Sequence, residues 1–377
     1  MMNLLSVPAD FKKTTIDKLH KLNELYKFSK VRDTYGNLSS TEQIVASGRK
    51  SQEIPKIDLN GLTEYVEYSK KYNIDFNYTL NALHYNSAEF TVEGINTFKK
   101  LLLQLHAIGI KKITISIPPL IQIIKSTGLD FKVCISTLNQ IATVNKAIEY
   151  QELGVDSIVL DESIIRNFSV LERIRAAFNG EIKIIVNTLC RGDCTYRTFH
   201  YNLTASNLQE SNLDKYYFYK CFTYFSDSIA NNLRRMWVRP EDLHYYRNIG
   251  INSFKIQGRD LIEVISKDNN VFYGDIVKTA EAYMRESFEG NIEDLIYMFN
   301  QINMPFTQNI PNSKLNNFLK PFWEKKQVCR FDCSNCNYCE NYARKYLAKY
   351  YSEDKKRFAQ AFFNLIDSFM THIKKDK

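Results

Sequence analysis

Between residues 30 and 256 the chain repeats one pattern: a short apolar run, a stretch of helical period, then another apolar run, every 19 to 27 residues where it is clearest. The clear runs are 112–117 (KITISI), 131–136 (FKVCIS), 156–160 (DSIVL) and 182–187 (IKIIVN). Weaker ones lie at 30–35 and 75–80, and later ones at 235–238 and 253–256. Strands separated by a helix each time must run parallel, because a parallel pair needs a crossover of about a dozen residues or more. Eight strands with eight candidate helices predict an α/β fold, a (β/α)8 TIM-type barrel.

Local signals agree. Phe168, Leu171, Ile174 and Ala177 recur at intervals of three, one stripe of a helix. The helix over 140–153 ends at Gly154, where a left-handed cap costs glycine little. Pro240 suits a first helical position, since its missing N–H would have had no partner there. The reading divides the chain into an N-terminal helical lead-in (1–29), the barrel (30–290) and a C-terminal helical extension (291–377) with a cysteine cluster at 329–339. In the closing helix, Phe358, Ala361, Phe362, Leu365, Ile366 and Phe369 form the apolar stripe expected to dock. One connection is anomalous: residues 188–233 form an insert far longer than the roughly 2–6 residues of a usual βα loop. It leaves from the C-terminal face, where barrel enzymes place their chemistry.

With 44% hydrophobic and 24% charged residues, and only 13 Gly and 8 Pro, collagen-like and low-complexity classes are excluded. No apolar run reaches the roughly 18 residues of a membrane span, and the N-terminal one meets Asp10, Lys12 and Lys13 too soon to be a signal sequence. A cytoplasmic protein is expected. The net charge is +8, and nine basic against five acidic residues over 340–377 supply half of it. A solvated helix accounts for that tail as well as contact with RNA or an acidic partner does.

Eight cysteines without an export signal argue for metal or redox chemistry rather than disulfides. Cys329, Cys333, Cys336 and Cys339 form C-x3-C-x2-C-x2-C, a spacing that brings four thiolates together locally and suits either zinc or an iron–sulfur cluster. Cys190 and Cys194 follow the run IKIIVN directly, and Cys221 shares their insert. Three thiols need a fourth ligand from elsewhere, either the tail cluster or Cys134, which read alone is a small buried hydrophobe. A rival reading makes Cys190 a nucleophile with His200 as its base. Arg239, Lys255 and Arg259 follow late strands, in WVRPEDL and FKIQGR, where basic side chains hold anionic substrate groups; ion pairs with Glu241, Asp242 or Asp260 are the structural alternative. Gly36, Gly48 and Arg49 could add to the same rim. No G-x-G-x-x-G, Walker A, H-E-x-x-H or G-x-S-x-G motif occurs.

The segments ELGVDSIVL, IIRNFSVLERI, IIVNTLCRGDCTYRTFHYN, WVRPEDLHYYRNIGINSFKIQGRD and CSNCNYC resemble peptidase family U-32, in particular its short bacterial members. The likeness runs from about residue 31 to 260 plus the cysteine tail, and RPEDL followed by FKI-x-GR is its most specific part. The family is named for collagenase-like proteolysis, yet it includes iron–sulfur proteins that hydroxylate ubiquinone precursors or RNA bases without oxygen. The resemblance implies a cluster, 4Fe–4S in type, held by Cys190, Cys194 and Cys221. It also implies that Arg239, Lys255 and Arg259 orient an anionic small molecule or oxygen donor, and that a second family member could join as a heterodimer. The C-x3-C pair departs from the family's wider pattern, so the fourth ligand does not transfer. The longer RNA-modifying members carry a further C-terminal domain that has no counterpart here, which weighs against RNA. An oxygen-independent hydroxylase or related redox enzyme is the expected function; a peptidase, or a scaffold stabilised by metal, with zinc at the tail cysteines, are the alternatives.

Overall fold

A computed structural model describes residues 1–39, 48–49, 54–205, 216–265, 271–299 and 308–372. Its centre is a closed barrel of eight parallel strands in the order β1 to β8. The strands are β1 (Asn3–Pro8), β2 (Ser29–Gly36), β3 (Asp75–Leu80), β4 (Lys112–Ile115), β5 (Lys132–Ile135), β6 (Ser157–Val159), β7 (Glu181–Ile185) and β8 (Ser253–Lys255). Helices α1 (Lys13–Leu25), α2 (Leu59–Lys70), α3 (Val92–Ala107), α4 (Pro119–Lys125), α5 (Val144–Glu152) and α6 (Phe168–Ala177) fill the first six crossovers. The barrel class read from the repeat is therefore correct.

Two strand assignments change. The lead-in is not purely helical: β1 pairs with both β2 and β8 and closes the barrel. Residues 235–238 are not a barrel strand. With β1 in the ring, eight places are filled, and β7 pairs directly with β8. The 235–238 segment instead runs beside the end of β7, its Val238 N–H donating to the Val186 carbonyl and Met236 N–H to Cys190.

Strand periodicity explains why the runs looked apolar and yet enclose polar chemistry. Residues such as Val7, Phe76, Tyr78, Ile113, Ile158 and Ile184 face outward into the core shared with the helices. Their alternates face inward. There Cys134, Val159 and Ile185 make a small apolar patch of their own, and Ser6, Asp33, Asn77, Thr79, Thr114 and Lys183 are all buried.

The β7–β8 connection holds α7 (Arg197–Ala205), α8 (Tyr216–Asp227), α9 (Ile229–Leu233) and α10 (Leu243–Arg247). The C-terminal extension packs on this side. Trp323 stacks edge-on against Phe168 with ring centroids 5.3 Å apart, and Phe318 lies 5.8 Å from Trp237. The final helix, Glu353–His372, lies along α8 by Ala359 and Phe363, which are buried, and by Phe362 of the expected stripe; the side chains of Ile366 and Phe369 lie outside the described residues. Phe358 and Leu365, part of the expected docking stripe, are exposed. An i, i+4 pair suffices for this contact because Tyr216 and Tyr219 of α8 supply the bulk, their rings 6.0 Å from Phe363 and 4.8 Å from Phe362. Among the described residues no helix is long and apolar enough to cross a membrane.

Candidate active site and metal centres

The floor of the barrel is an ion network. Asp33 is fully buried, accepts a short hydrogen bond from Ser6, and meets Arg32 at 3.0 Å and Lys112 at 3.6 Å. Burial alone would raise its carboxyl pKa, but Lys183, Arg32 and Lys112 together hold it well below the usual carboxylate range. Glu181 joins from β7, paired with Arg32 and 3.5 Å from Lys183.

Above this floor stands Lys255, at the C-terminal end of β8. Its ammonium lies 4.0 Å from the centre of the Tyr35 ring and makes no hydrogen bond or ion pair among the described residues. Higher still, Arg259 donates to Asn37 Oδ1 at 2.6 Å, Thr79 Oγ1 at 2.7 Å and Asn81 Oδ1 at 3.3 Å. Gly258 makes that approach feasible: its φ is +132°, and a Cβ there would stand 2.8 Å from Met298 Sδ. Arg49 pairs with Asp260 at 3.1 Å, and the Gly48 N–H donates to Asn81 Oδ1. Lys255, Arg259, Gly48 and Arg49 are thus brought to one mouth, as expected.

Arg239 is not. It grips Asp242 with both Nε and Nη2, at 2.8 and 2.9 Å, and donates to the Asn312 carbonyl and Asn316 Oδ1. The ion-pair alternative holds for this residue, which ties the C-terminal extension to the barrel. Arg239→Ala leaves Asp242 buried without its partner and is expected to cost about 3 kcal/mol in urea unfolding, with faster proteolysis beyond residue 312. Unchanged stability and cleavage would refute that structural role.

The cysteines form two groups. In the insert, Cys190 lies in the electrostatic field of Cys194, Cys221 and Glu162, and Cys221 in that of Cys194. Loss of solvation pushes the Cys190 thiol well up and Cys221 up to about 12. The carboxyl of Glu162 is itself raised to about 7 by burial and by Asp161, against the pull of Arg197, which reaches Asp161 at 3.0 Å and Glu162 at 3.4 Å. A nucleophilic cysteine needs a lowered thiol pKa, so the raised Cys190 thiol weighs against that role; the His200 ring lies 5.7 Å from that of Tyr217.

In the extension, Cys329, Cys333, Cys336 and Cys339 all line one cleft with Arg166, Asp193, Arg234 and Phe331. Arg166 donates to the carbonyls of Leu233 and Arg235 at 2.6 and 2.5 Å and stacks over Trp237 and Phe318. Phe331 sits on Gly192, where any Cβ would come within 2.2 Å of its ring. The tail cleft is thereby seated against the loop that carries Cys190 and Cys194. Cys134 stays apart, buried in the barrel interior with Val159 and Ile185.

Among the described residues no three His, Cys, Asp or Glu side chains already stand in metal-binding geometry. Two observations nevertheless suit thiolate-bound metal. Arg235, 1% exposed, stacks 3.9 Å over Phe225; among the described residues its three nitrogens make no well-formed hydrogen bond, and the Tyr297 hydroxyl and the Glu293 carboxyl are the polar groups beside it. It lies within the field of Cys221, and an anionic thiolate centre beside it would supply what it lacks. In the tail, four thiols share one cleft, the donor set that either a zinc ion or a cluster takes. Sequence reasoning missed Arg235, whose run RMWV read as a strand, and Asp33, whose only signal was an acid at an inward strand position.

Comparison with known proteins places these features. The sequence profile of peptidase family U32 matches residues 49–295. An uncharacterized protease of Methanocaldococcus jannaschii, MJ1657, is 29% identical over 350 residues, covering 91% of this chain and 98% of that protein. Among solved structures, the U32 peptidase Mk0906 is similar with a TM-score of 0.47 at 15% identity, over 68% of this chain and 93% of that one. D-psicose 3-epimerase of Clostridium cellulolyticum H10 is similar at 0.38 and 10% identity, over 79% of this chain and all of that one.

Proposed function

The chain belongs to peptidase family U32, and from that premise we propose that it is an iron–sulfur redox enzyme, an oxygen-independent hydroxylase or close relative acting on an anionic small molecule. The observation that carries the reading is the buried guanidinium of Arg235, without a well-formed hydrogen bond among the described residues, in the field of Cys221, which itself lies beside Cys194 and Cys190. Cys190, Cys194 and Cys221 would hold the cluster, which when bound supplies one-electron chemistry that side chains cannot. Arg235 balances the charge of the thiolates. Arg197 keeps Asp161 and Glu162 in place beside Cys190. At the mouth, Lys255 and Arg259 add positive charge above the floor network and bias the interior towards anions. The tail cysteines would take a single zinc as a structural staple between extension and insert.

The test is purification without oxygen, followed by absorbance and by iron, sulfide and zinc analysis. A brown protein with roughly four irons and one zinc supports the proposal. Cys190→Ala should lose the iron and keep the zinc. A colourless wild type without iron rejects the redox reading.

Peptidase activity is the second reading, favoured by the names of Mk0906 and the methanogen protein. Hydrolysis needs an activated nucleophile or water. Cleavage of gelatin or a collagen-like peptide by the iron-free protein, surviving Cys190→Ala, would establish it.

A further inference from the structure

Lys255 takes no part in the thiol chemistry, and its surroundings are unusual for a lysine. It projects inward from the last residue of β8, opposite Ser6 of β1 and Ile185 of β7. The residue is partly exposed rather than sealed, at the end of β8 that opens to the C-terminal mouth. Surface lysines in this protein commonly hold a carboxylate, as Lys13 holds Glu64 and Lys132 holds Asp156. Lys255 holds none. Among the described residues, the titratable groups facing it are Asp33 and Tyr35 on β2, Cys134 on β5, Lys183 on β7 and Arg259 at the mouth. Asp33 is already committed to Arg32, Lys112 and Lys183. Two cations, Arg259 and Lys183, remain to oppose a third.

We propose that Lys255 is a nucleophilic lysine that captures the carbonyl group of a small anionic aldehyde or keto compound as an imine. The inward, partly exposed amine, free of hydrogen bonds and ion pairs among the described residues and flanked by cations, is the arrangement that makes a lysine nucleophilic. The Nζ lone pair attacks the carbonyl carbon, and the C–N bond forms as the carbonyl π pair moves to oxygen. That oxygen takes the proton released by nitrogen. Carbinolamine then loses its hydroxyl with one further proton as water, leaving a protonated imine. No oxidant or reductant is consumed. Cationic neighbours favour a ligand bearing a carboxylate or phosphate, and Arg259 at the mouth is placed to meet it. Burial, and after it Arg259 and Lys183, bring the amine down to about 7 against the opposing pull of Cys134 and Asp33, so its free-base share at neutral pH exceeds that of an ordinary lysine. An ordinary lysine at that pH is free base in only about one molecule in 2,500.

The experiment is reductive trapping on the whole protein with glyoxylate and sodium cyanoborohydride, the modified lysines being located by peptide mass mapping. Lys255 is expected to be labelled at least tenfold faster than the median lysine at pH 7, saturably with glyoxylate, and the advantage should shrink as pH rises towards 10. The preference should be equal in Cys190→Ala, which separates it from the fate of any cluster. Lys255→Arg, which keeps the charge, should abolish the fast phase and leave slow surface labelling unchanged. Uniform labelling of all lysines, an unlabelled Lys255, or a fast phase that survives in Lys255→Arg overturns the proposal. The wild-type map decides the matter even where the variant folds poorly.

Discussion

Replacing Asp33 with alanine should destabilise the protein by about 3–5 kcal/mol, read as a lowered urea midpoint at constant slope. Asp33 is the inner anion to which Arg32, Lys112 and Lys183 converge, and it is completely buried. Deleting it leaves Lys183, itself only 4% exposed in its side chain, with Glu181 3.5 Å away as its remaining ion pair. An unpaired buried charge is among the few single changes that cost this much. The pH dependence has a definite sign. Because the folded carboxyl titrates below its unfolded counterpart, its contribution is complete above the unfolded pKa of about 4 and is lost as pH falls towards the folded value. The wild type should therefore lose stability on acidification below about pH 4, and Asp33→Asn, weakened at neutral pH, should show a flatter profile there. A loss under 1 kcal/mol for Asp33→Ala, or parallel acid profiles for wild type and Asp33→Asn, would show that the floor network contributes little.

The barrel was legible because its outward strand positions are filled by Ile, Val, Leu, Phe and Tyr, which make runs such as KITISI stand out against the helices. The inward positions were less so. Ser6, Asp33, Asn77 and Thr79 sit between apolar neighbours and read as interruptions, although the strand period of two makes them the lining of the site. Strand β1 escaped notice because NLLSVP precedes the first repeat and has no helix before it. Residues 235–238 took its place in the count, since a run of four hydrophobic or long side chains looks the same whether it pairs on both sides or merely leans on β7. Cysteine spacing exposed both thiol groups, and FKIQGR exposed the mouth. What spacing could not disclose is whether a basic side chain meets a carboxylate. Arg239 closes on Asp242 three residues away, a short-range pairing that the sequence allowed for. Lys255 meets an aromatic ring, and Arg235 meets one too, with no well-formed hydrogen bond among the described residues.

That last residue separates two accounts of the insert. If Arg235 exists to balance thiolate charge, its removal should act oppositely on the empty and the loaded protein. In the metal-free protein, the poorly satisfied nitrogens of this buried guanidinium are a penalty, softened by Phe225, by the Tyr297 hydroxyl and by Glu293, whose own carboxyl burial raises to about 7. Arg235→Met fills similar volume without charge and should stabilise the metal-free form by about 1–3 kcal/mol. In the loaded protein the same change removes a buried cation facing Cys221, so release of iron to a chelator should quicken by tenfold or more, measured by loss of visible absorbance. Arg235→Lys should restore part of the retention. A purely structural Arg235 predicts the reverse: lower stability with and without metal, and iron release no faster than the wild type's once both are compared at equal fraction folded.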